Sequence, residues 1–278
     1  MEVLVSDRSA RGKLRLHGEQ DLWFLHQILT HSFEDMEIGD AREAALLTAH
    51  GRMVAYLEAL RTADGVLVHF EEDLIDVLPE ALRRYVFATR VEIDDVGSEM
   101  GLVLVVGEGW PDLVADAAPA ALAQPTHGYG VPAAYLWIPA AATAETLEAL
   151  VGAGGLPATE EELERVRVEN AVARWGKEMD QKTIPQEAGI DRYAVHFTKG
   201  CYVGQEAMAK IHFRGKVNRR LARLEGEGLV EGADVISGEQ KVGTVTSVSD
   251  GRALAIVRYT IEPGDTVSVN EKEARVTA

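Results

Sequence analysis

Eight consecutive residues, Lys199-Gly200-Cys201-Tyr202-Val203-Gly204-Gln205-Glu206, carry the chemistry most easily read from this chain. They hold its only cysteine, with a glycine on one side, an aromatic residue on the other and a lysine two positions before it. Glycines at 200 and 204 permit backbone geometries closed to other residues, which suits a loop that presents a side chain. A cation beside the sulfur would favour thiolate and raise its reactivity, which gives Lys199 an activating role and Cys201 that of a nucleophile or soft ligand. The competing reading is an inert thiol packed in the core, the usual fate of a free cysteine. Cys201 could also meet His196 and His212 around a metal or as a thiol–imidazole pair. The remaining chemistry is thin: there is no phosphate-binding glycine loop, no nucleophile elbow and no H-E-x-x-H.

Composition narrows the classes. The chain has 278 residues, enough for two or three domains. A net charge of −17 disfavours direct nucleic-acid binding. The start lacks a basic segment followed by a long apolar run, no stretch is long enough to span a bilayer, and one cysteine excludes an intrachain disulfide. Together these point to a soluble cytoplasmic protein without membrane contact. The charge is uneven: Glu160, Glu161, Glu162 and Glu164 cluster, whereas Lys199–Arg223 holds seven cations, among them Arg214 and Arg219. That basic stretch is either a site for an anion or an alternating solvated strand face.

The positioning elements follow from periodicity. Leu14 and Leu16 alternate with charged residues as in a half-buried strand, and Leu22, Leu25, Ile28 and Leu29 recur at helical spacing. Ala44–Thr48 reads as a strand, and Met53–Leu60 with Val66–Phe70 as a hairpin turning at Ala63-Asp64-Gly65. Leu74 to Val86 predicts a helix; Leu102–Val106 and Tyr135–Ile138 predict strands. Residues 107–158 carry less pattern, with a short helix at Ala144–Val151. Thr159 and Glu162 have capping-box spacing and open a helix expected to end near Trp175-Gly176. Short strands at Arg219–Glu225, Val242–Val248, Ala253–Arg258 and Thr266–Val269, separated by glycines and a Pro-Gly-Asp turn, predict a small closed β-domain.

Taken with its neighbours, the cysteine motif resembles the YgfZ family of folate-binding proteins, relatives of the glycine-cleavage aminomethyltransferase associated with maintaining iron–sulfur enzymes. The family run K-G-C-aromatic-x-G-Q-E is matched throughout by Lys199 to Glu206. Further matching blocks are Arg167-Val168-Glu169-Asn170 leading to Arg174-Trp175-Gly176, and Thr183-Ile184-Pro185-Gln186-Glu187-Ala188-Gly189. The opening, Arg11-Gly12-Lys13-Leu14 with Phe24-Leu25-His26 and Gly51-Arg52, is also similar.

The resemblance implies an α+β, three-domain aminomethyltransferase-like ring around a central channel. It comprises a discontinuous first domain (1–45 and 160–214) carrying Cys201, a ferredoxin-like second domain (46–159) and the C-terminal barrel (215–278). It implies tetrahydrofolate as ligand, with Glu169 reading the pterin edge, Trp175 and Tyr202 lining the channel, and Arg214 available to the glutamate tail. No intrinsic metal or cluster is implied. Gly200, Gly204, Gln205 and Glu206 complete the motif, the last two acting on the thiol or holding its loop by hydrogen bonds. The expected function is an accessory factor for assembly or repair of iron–sulfur proteins, with those proteins or their assembly factors as partners and any link to tRNA modification indirect. One departure matters. Aminomethyltransferases carry paired aspartates shortly after a glycine turn, and counting from Gly51 places Ala55 and Tyr56 there. Asp64 would substitute only with a shifted register. A folate-dependent aminomethyltransferase or other one-carbon transferase is therefore the second reading, and a thiol-dependent redox or hydrolytic protein the third.

Overall fold

The computed structural model describes residues 2–215 and 217–278, with the side chain of Arg214 outside the description. The chain begins with β1 (Leu4–Asp7), β2 (Gly12–His17), α1 (Asp21–Ile28), β3 (Ala41–Leu47), β4 (Met53–Thr62), β5 (Gly65–Phe70), α2 (Val77–Arg83) and β6 (Glu92–Asp95). Strands β3-β4-β5-β2-β6 form an antiparallel sheet in that order. One face packs on Phe24, Leu25 and Leu29, joined by later residues such as Trp175, Tyr202 and Met208.

Next come β7 (Met100–Val106), α3 (Trp110–Ala117), β8 (Leu122–Pro125), β9 (Ala133–Pro139), α4 (Thr143–Gly152) and β10 (Leu156–Pro157). This strand-helix-strand-strand-helix-strand series is the ferredoxin-like unit. Its sheet has the order β10-β1-β7-β9-β8, with N-terminal β1 inserted between the first and last strands of the series. Leu113 and Leu147, from the two helices, pack on one face against Val103, Val105, Ala134 and Leu136. The other face meets Leu60, Leu67 and Leu163.

The domain limits expected from the sequence need correction. A boundary between residues 45 and 46 falls inside β3, and β4, β5 and β6 hydrogen-bond to strands of the first sheet, not the second. Conversely, β1 belongs to the second sheet, where Leu4 to Asp7 pair with Val106 to Val103. Inter-strand hydrogen bonding overrides contiguity along the chain.

After α5 (Glu160–Glu169), α6 (Pro185–Ala188), α7 (Asp191–Ala194) and α8 (Gln205–Arg214) the chain enters β11 (Arg219–Gly226), β12 (Asp234–Ser237), β13 (Gln240–Ser249), β14 (Arg252–Arg258), β15 (Thr266–Val269) and β16 (Lys272–Val276). These six close as β11-β14-β13-β12-β15-β16. The barrel is filled by small and branched residues such as Ala222, Leu224, Val235, Val257 and Val269. The expected closed β-domain is present. Closure removes free sheet edges, which a unit this small would otherwise expose. The capping box at Thr159 forms as its spacing predicts, but α5 ends at Glu169 instead of Trp175. Ala171 adopts a φ of 54°, which an α-helix cannot continue through.

Candidate functional site

Cys201 is exposed, on the loop that leads into α8. The residues around it are anchored. Gly204 starts the helix with φ 85°, and a Cβ there would lie 2.6 Å from the Thr48 carbonyl oxygen. Only glycine allows both that conformation and that approach. The turn at Gly51 packs back on α8, within 3.0 Å of the Ala207 methyl by the same construction.

Lys199 is committed to the backbone at the end of α1. It is buried, and its Nζ donates to the carbonyls of His26, Leu29 (2.5 Å) and His31 (2.8 Å). These carbonyls lie at and beyond the C-terminal end of α1, where a helix leaves acceptors unpaired and favours a cation. Burial pushes the ammonium down to about 7. Lys199 also sits 4.9 Å from the centre of the Tyr202 ring. Tyr202 is thus core packing beneath the loop, not a lining of the interior cavity described below. Neither Gln205 nor Glu206 makes a described side-chain hydrogen bond to the loop; the Gln205 backbone N–H donates to the Tyr202 carbonyl instead. Replacing Lys199 by methionine should cost about 1–3 kcal/mol through the orphaned carbonyls. It should leave the rate of Cys201 reaction with a disulfide reagent within about twofold, since the described bonds of the Lys199 ammonium all go to backbone carbonyls. Stopped-flow absorbance checks this, and a tenfold slower reaction in a folded variant would restore the activating role.

A second constellation lies where the two sheets and α5 meet. Across β3, β4, β5 and β2, Glu43 faces Glu58, Glu58 faces His69, and His69 faces Lys13 in register; all four are buried. Glu43 accepts hydrogen bonds from the Tyr56 hydroxyl and from the His127 backbone N–H (2.6 Å), with the His127 ring Nδ1 at 2.9 Å. Burial first, then repulsion by Glu43, pushes Glu58 up to about 8 despite the opposing Arg11 cation, whose Nη2 is 3.6 Å away. Arg11 donates from Nε to His69 Nδ1 at 3.0 Å, which leaves the imidazole proton on Nε2. Burial together with Arg11 and Lys13 holds His69 well below its usual value, so the ring is neutral. His69 Nε2 and Glu58 Oε2 face each other at 4.0 Å, each without a hydrogen-bond partner among the described residues. Burial alone would raise Glu71, but Arg11 and Arg174 overcome it and hold the carboxylate down at about 2.

The RVEN block divides between interior and surface. Arg167 is buried and donates to Glu178 (2.8 Å), to both oxygens of Glu164 (2.8 and 2.6 Å), to Ser247 (2.6 Å) and to the Val172 carbonyl (2.6 Å). Glu178 is completely buried and also accepts from Ser247 and Thr246 of the barrel. Glu169, by contrast, is 53% exposed and pairs with Arg252 at 3.2 Å. Glu169, expected to read a pterin, is thus placed outside the lining of the interior chamber. Two residues along a helix rotate the side chain by about 200°, so Arg167 and Glu169 face opposite ways. Trp175 does face the interior, donating from Nε1 to Asp73 at 3.1 Å. The expected tail contact at Arg214 lies outside the described side chains.

Tyr56, Glu58, Glu71, Tyr135, Arg174 and Trp175 surround a chamber of only about 30 Å³. That is the share of about one water molecule, far too small for a pterin. Outside it, Trp110, Pro125, His127, Arg192 and Tyr193 line a cavity of about 660 Å³. The His127 and Tyr193 rings stack with centres 4.8 Å apart and divide this cavity from another of about 450 Å³. Trp110, an aromatic stack and one exposed guanidinium suit an aromatic ligand bearing a carboxylate. The described hydrogen bonds engage Arg192 only through Nε, to the Gly189 carbonyl. The outer cavity is thus by far the roomier of the two. No group of three or more His, Cys, Asp or Glu residues able to hold a metal occurs among the described residues, so Cys201, His196 and His212 form no such cluster. No described helix is long and apolar enough to cross a membrane.

Sequence reasoning missed the Glu43–Glu58–His69–Lys13 ladder. Part of its signal was present: Glu58 and His69 stand among apolar residues of a hairpin whose other face is apolar but for Arg61.

Comparison with known proteins agrees with this architecture. Residues 218–278 match the CAF17 C-terminal β-barrel domain family. The chain is 29% identical to an aminomethyltransferase of Rubrobacter xylanophilus, across 96% of this chain and 79% of that protein. It is 26% identical to a mitochondrial iron–sulfur cluster assembly factor, an IBA57 homolog of Mycosarcoma maydis, over 65% of this chain and 45% of that one. The crystal structure of glycine cleavage system aminomethyltransferase T from Bartonella henselae superposes with a TM-score of 0.88, covering 100% of this chain and 85% of that one at 16% identity. Three bodies, a ferredoxin-like unit with an inserted N-terminal strand, and a closed six-stranded barrel therefore constitute the aminomethyltransferase fold, with a barrel of the CAF17 type.

Proposed function

We propose that this protein is an accessory factor of the YgfZ kind for the assembly or repair of iron–sulfur proteins, with Cys201 as its functional thiol and a folate as its ligand. The observation that carries the proposal is an exposed cysteine on a loop anchored on both sides, by Lys199 before it and Gly204 after it. A sulfur so placed can reach iron on a partner protein, which a core thiol cannot. The similarity to the IBA57 homolog supports the same role.

The one-carbon transferase reading fares less well on this geometry. Ala55 and Tyr56 stand where the paired carboxylates are expected, and Asp64 is an exposed turn residue. Of the two carboxylates beside this position, Glu43 is taken up by the Tyr56 hydroxyl and by His127, and Glu58 is raised to about 8, so neither is a free anion poised to stabilise a developing cation. The hydrolytic or redox reading needs a histidine bonded to the thiol, and no described hydrogen bond joins Cys201 to one.

Tetrahydrofolate would lie in the outer cavity, its benzoyl ring against Trp110 and Tyr193 and its carboxylate on Arg192. Calorimetric titration tests this. Arg192→Ala should weaken binding about tenfold or more through the lost charge-assisted pair, while Glu169→Ala and Cys201→Ser leave it unchanged. Absence of binding to the wild type at about 1 mM tetrahydrofolate would exclude the folate reading.

A further inference from the structure

An open groove on the barrel plays no part in the function above. It has a volume of about 1050 Å³ and lies between the β13–β14 face of the barrel and the 177–183 segment. Lys177, Lys182, Arg219, Lys241 and Arg258 line it, against only Glu178 and Asp180, in a chain whose net charge is −17. Glu178 is not available as a repulsive group, because it is completely buried and bound to Arg167. Asp180 is engaged by the Thr183 hydroxyl at 2.7 Å and the Lys182 N–H at 2.8 Å.

The groove also has an apolar component. Val242 and Ile256 contribute to its lining, and Tyr259 stands in it 46% exposed. Cations around an exposed tyrosine and an aliphatic floor make the combination that anchors protein partners, with charge selecting the segment and the ring fixing it. Three of the cations already rest on carboxylates of this chain: Lys177 on Glu231 at 2.8 Å, Arg219 on Glu187 at 3.0 Å and Lys241 on Asp234 at 2.5 Å. Lys182 and Arg258 are exposed and make no described ion pair.

We propose that this groove is a docking site for an extended acidic segment of a partner protein. Its carboxylates pair with Lys182 and Arg258, and one apolar or aromatic side chain packs against Tyr259. Carboxylates suit the site better than nucleic acid: the surrounding surface is strongly acidic and repels a continuous phosphate backbone, and three lining cations are already carboxylate-paired. The site is independent of the folate cavity and of Cys201.

Fluorescence anisotropy of the full chain with a fluorescein-labelled Asp-Glu-Asp-Tyr-Glu-Asp-Glu peptide, at low salt, tests the proposal. Saturable binding is expected, weakened about tenfold or more by Lys182→Glu with Arg258→Glu. Lys272→Glu, on β16 outside the groove, should change it less than twofold, and Tyr259→Ala should weaken it about fivefold or more. Lack of saturation, equal loss in the Lys272→Glu control, or equal binding of a Lys-Arg-Lys-Tyr-Arg-Lys-Arg peptide would overturn the proposal. So would tighter binding of an oligouridylate, which would assign the groove to nucleic acid. Thermal melting of each variant establishes that a loss reflects the groove and not the fold.

Discussion

Arg167→Ala is expected to destabilise the protein by about 3–5 kcal/mol, the cost of leaving a buried ion unpaired. The guanidinium is 1% exposed and its partner Glu178 is completely buried. Its five donated hydrogen bonds join α5 to the 172–178 segment and to Ser247 of the barrel, so one side chain ties together three parts of the chain. Without it, Glu178 keeps Ser247, Thr246 and the Arg174 N–H but no cation. Arg167→Lys should recover little, because an ammonium cannot span Glu164, Glu178 and Ser247 together. Urea denaturation followed by tryptophan fluorescence, to which the neighbouring Trp175 contributes, measures the effect. A loss below about 1 kcal/mol would mean that the pair is replaceable and that the barrel is held elsewhere.

The second large effect is a dependence on pH opposite to that of ordinary carboxylates. Glu58 is raised in the folded protein to about 8, from 4.5. The native state then binds more protons than the unfolded chain between those values. Its contribution to stability is present below the unfolded value and is lost as pH rises through about 8. Glu71 behaves conversely: held at about 2 by Arg11 and Arg174, it contributes stability above 4.5 that is lost as pH falls toward 2. Glu58→Gln keeps the size and hydrogen-bonding capacity of the protonated acid. It should match the wild type near pH 5 and exceed it by about 2–4 kcal/mol near pH 9. Denaturation across that range checks the sign. A Gln variant that is less stable at high pH would mean that Glu58 is ionised and paired to Arg11, reversing the electrostatics of the chamber.

What could be read in the sequence follows from how local each signal is. Gly204 and the capping box of Thr159 and Glu162 act over a few residues, so the anchored cysteine loop and the start of α5 were legible. The barrel was legible from turn spacing, although β12 and β16 emerge only from pairing. The α3–β8 segment was hidden in a stretch rich in Ala, Gly and Pro. α8 was hidden because its charges also suit an exposed strand. The interior chamber was not legible for a different reason. Glu58 on an isolated strand reads as a solvent-facing residue, and only the register that sets it between Glu43 and His69 shows both faces of the strand to be covered. The cysteine motif likewise did not reveal where Lys199 points; that depends on α1, about 170 residues earlier in the chain.

The most direct test is restoration of iron–sulfur enzyme activity in cells deprived of this protein, comparing the wild type with Cys201→Ser and Glu169→Ala at matched protein levels. Cys201→Ser should leave the activity of a [4Fe–4S] enzyme at the deprived level, although its melting temperature and tetrahydrofolate affinity equal those of the wild type, and Glu169→Ala should restore it fully. Full restoration by Cys201→Ser would contradict a functional thiol and return Cys201 to an incidental surface residue.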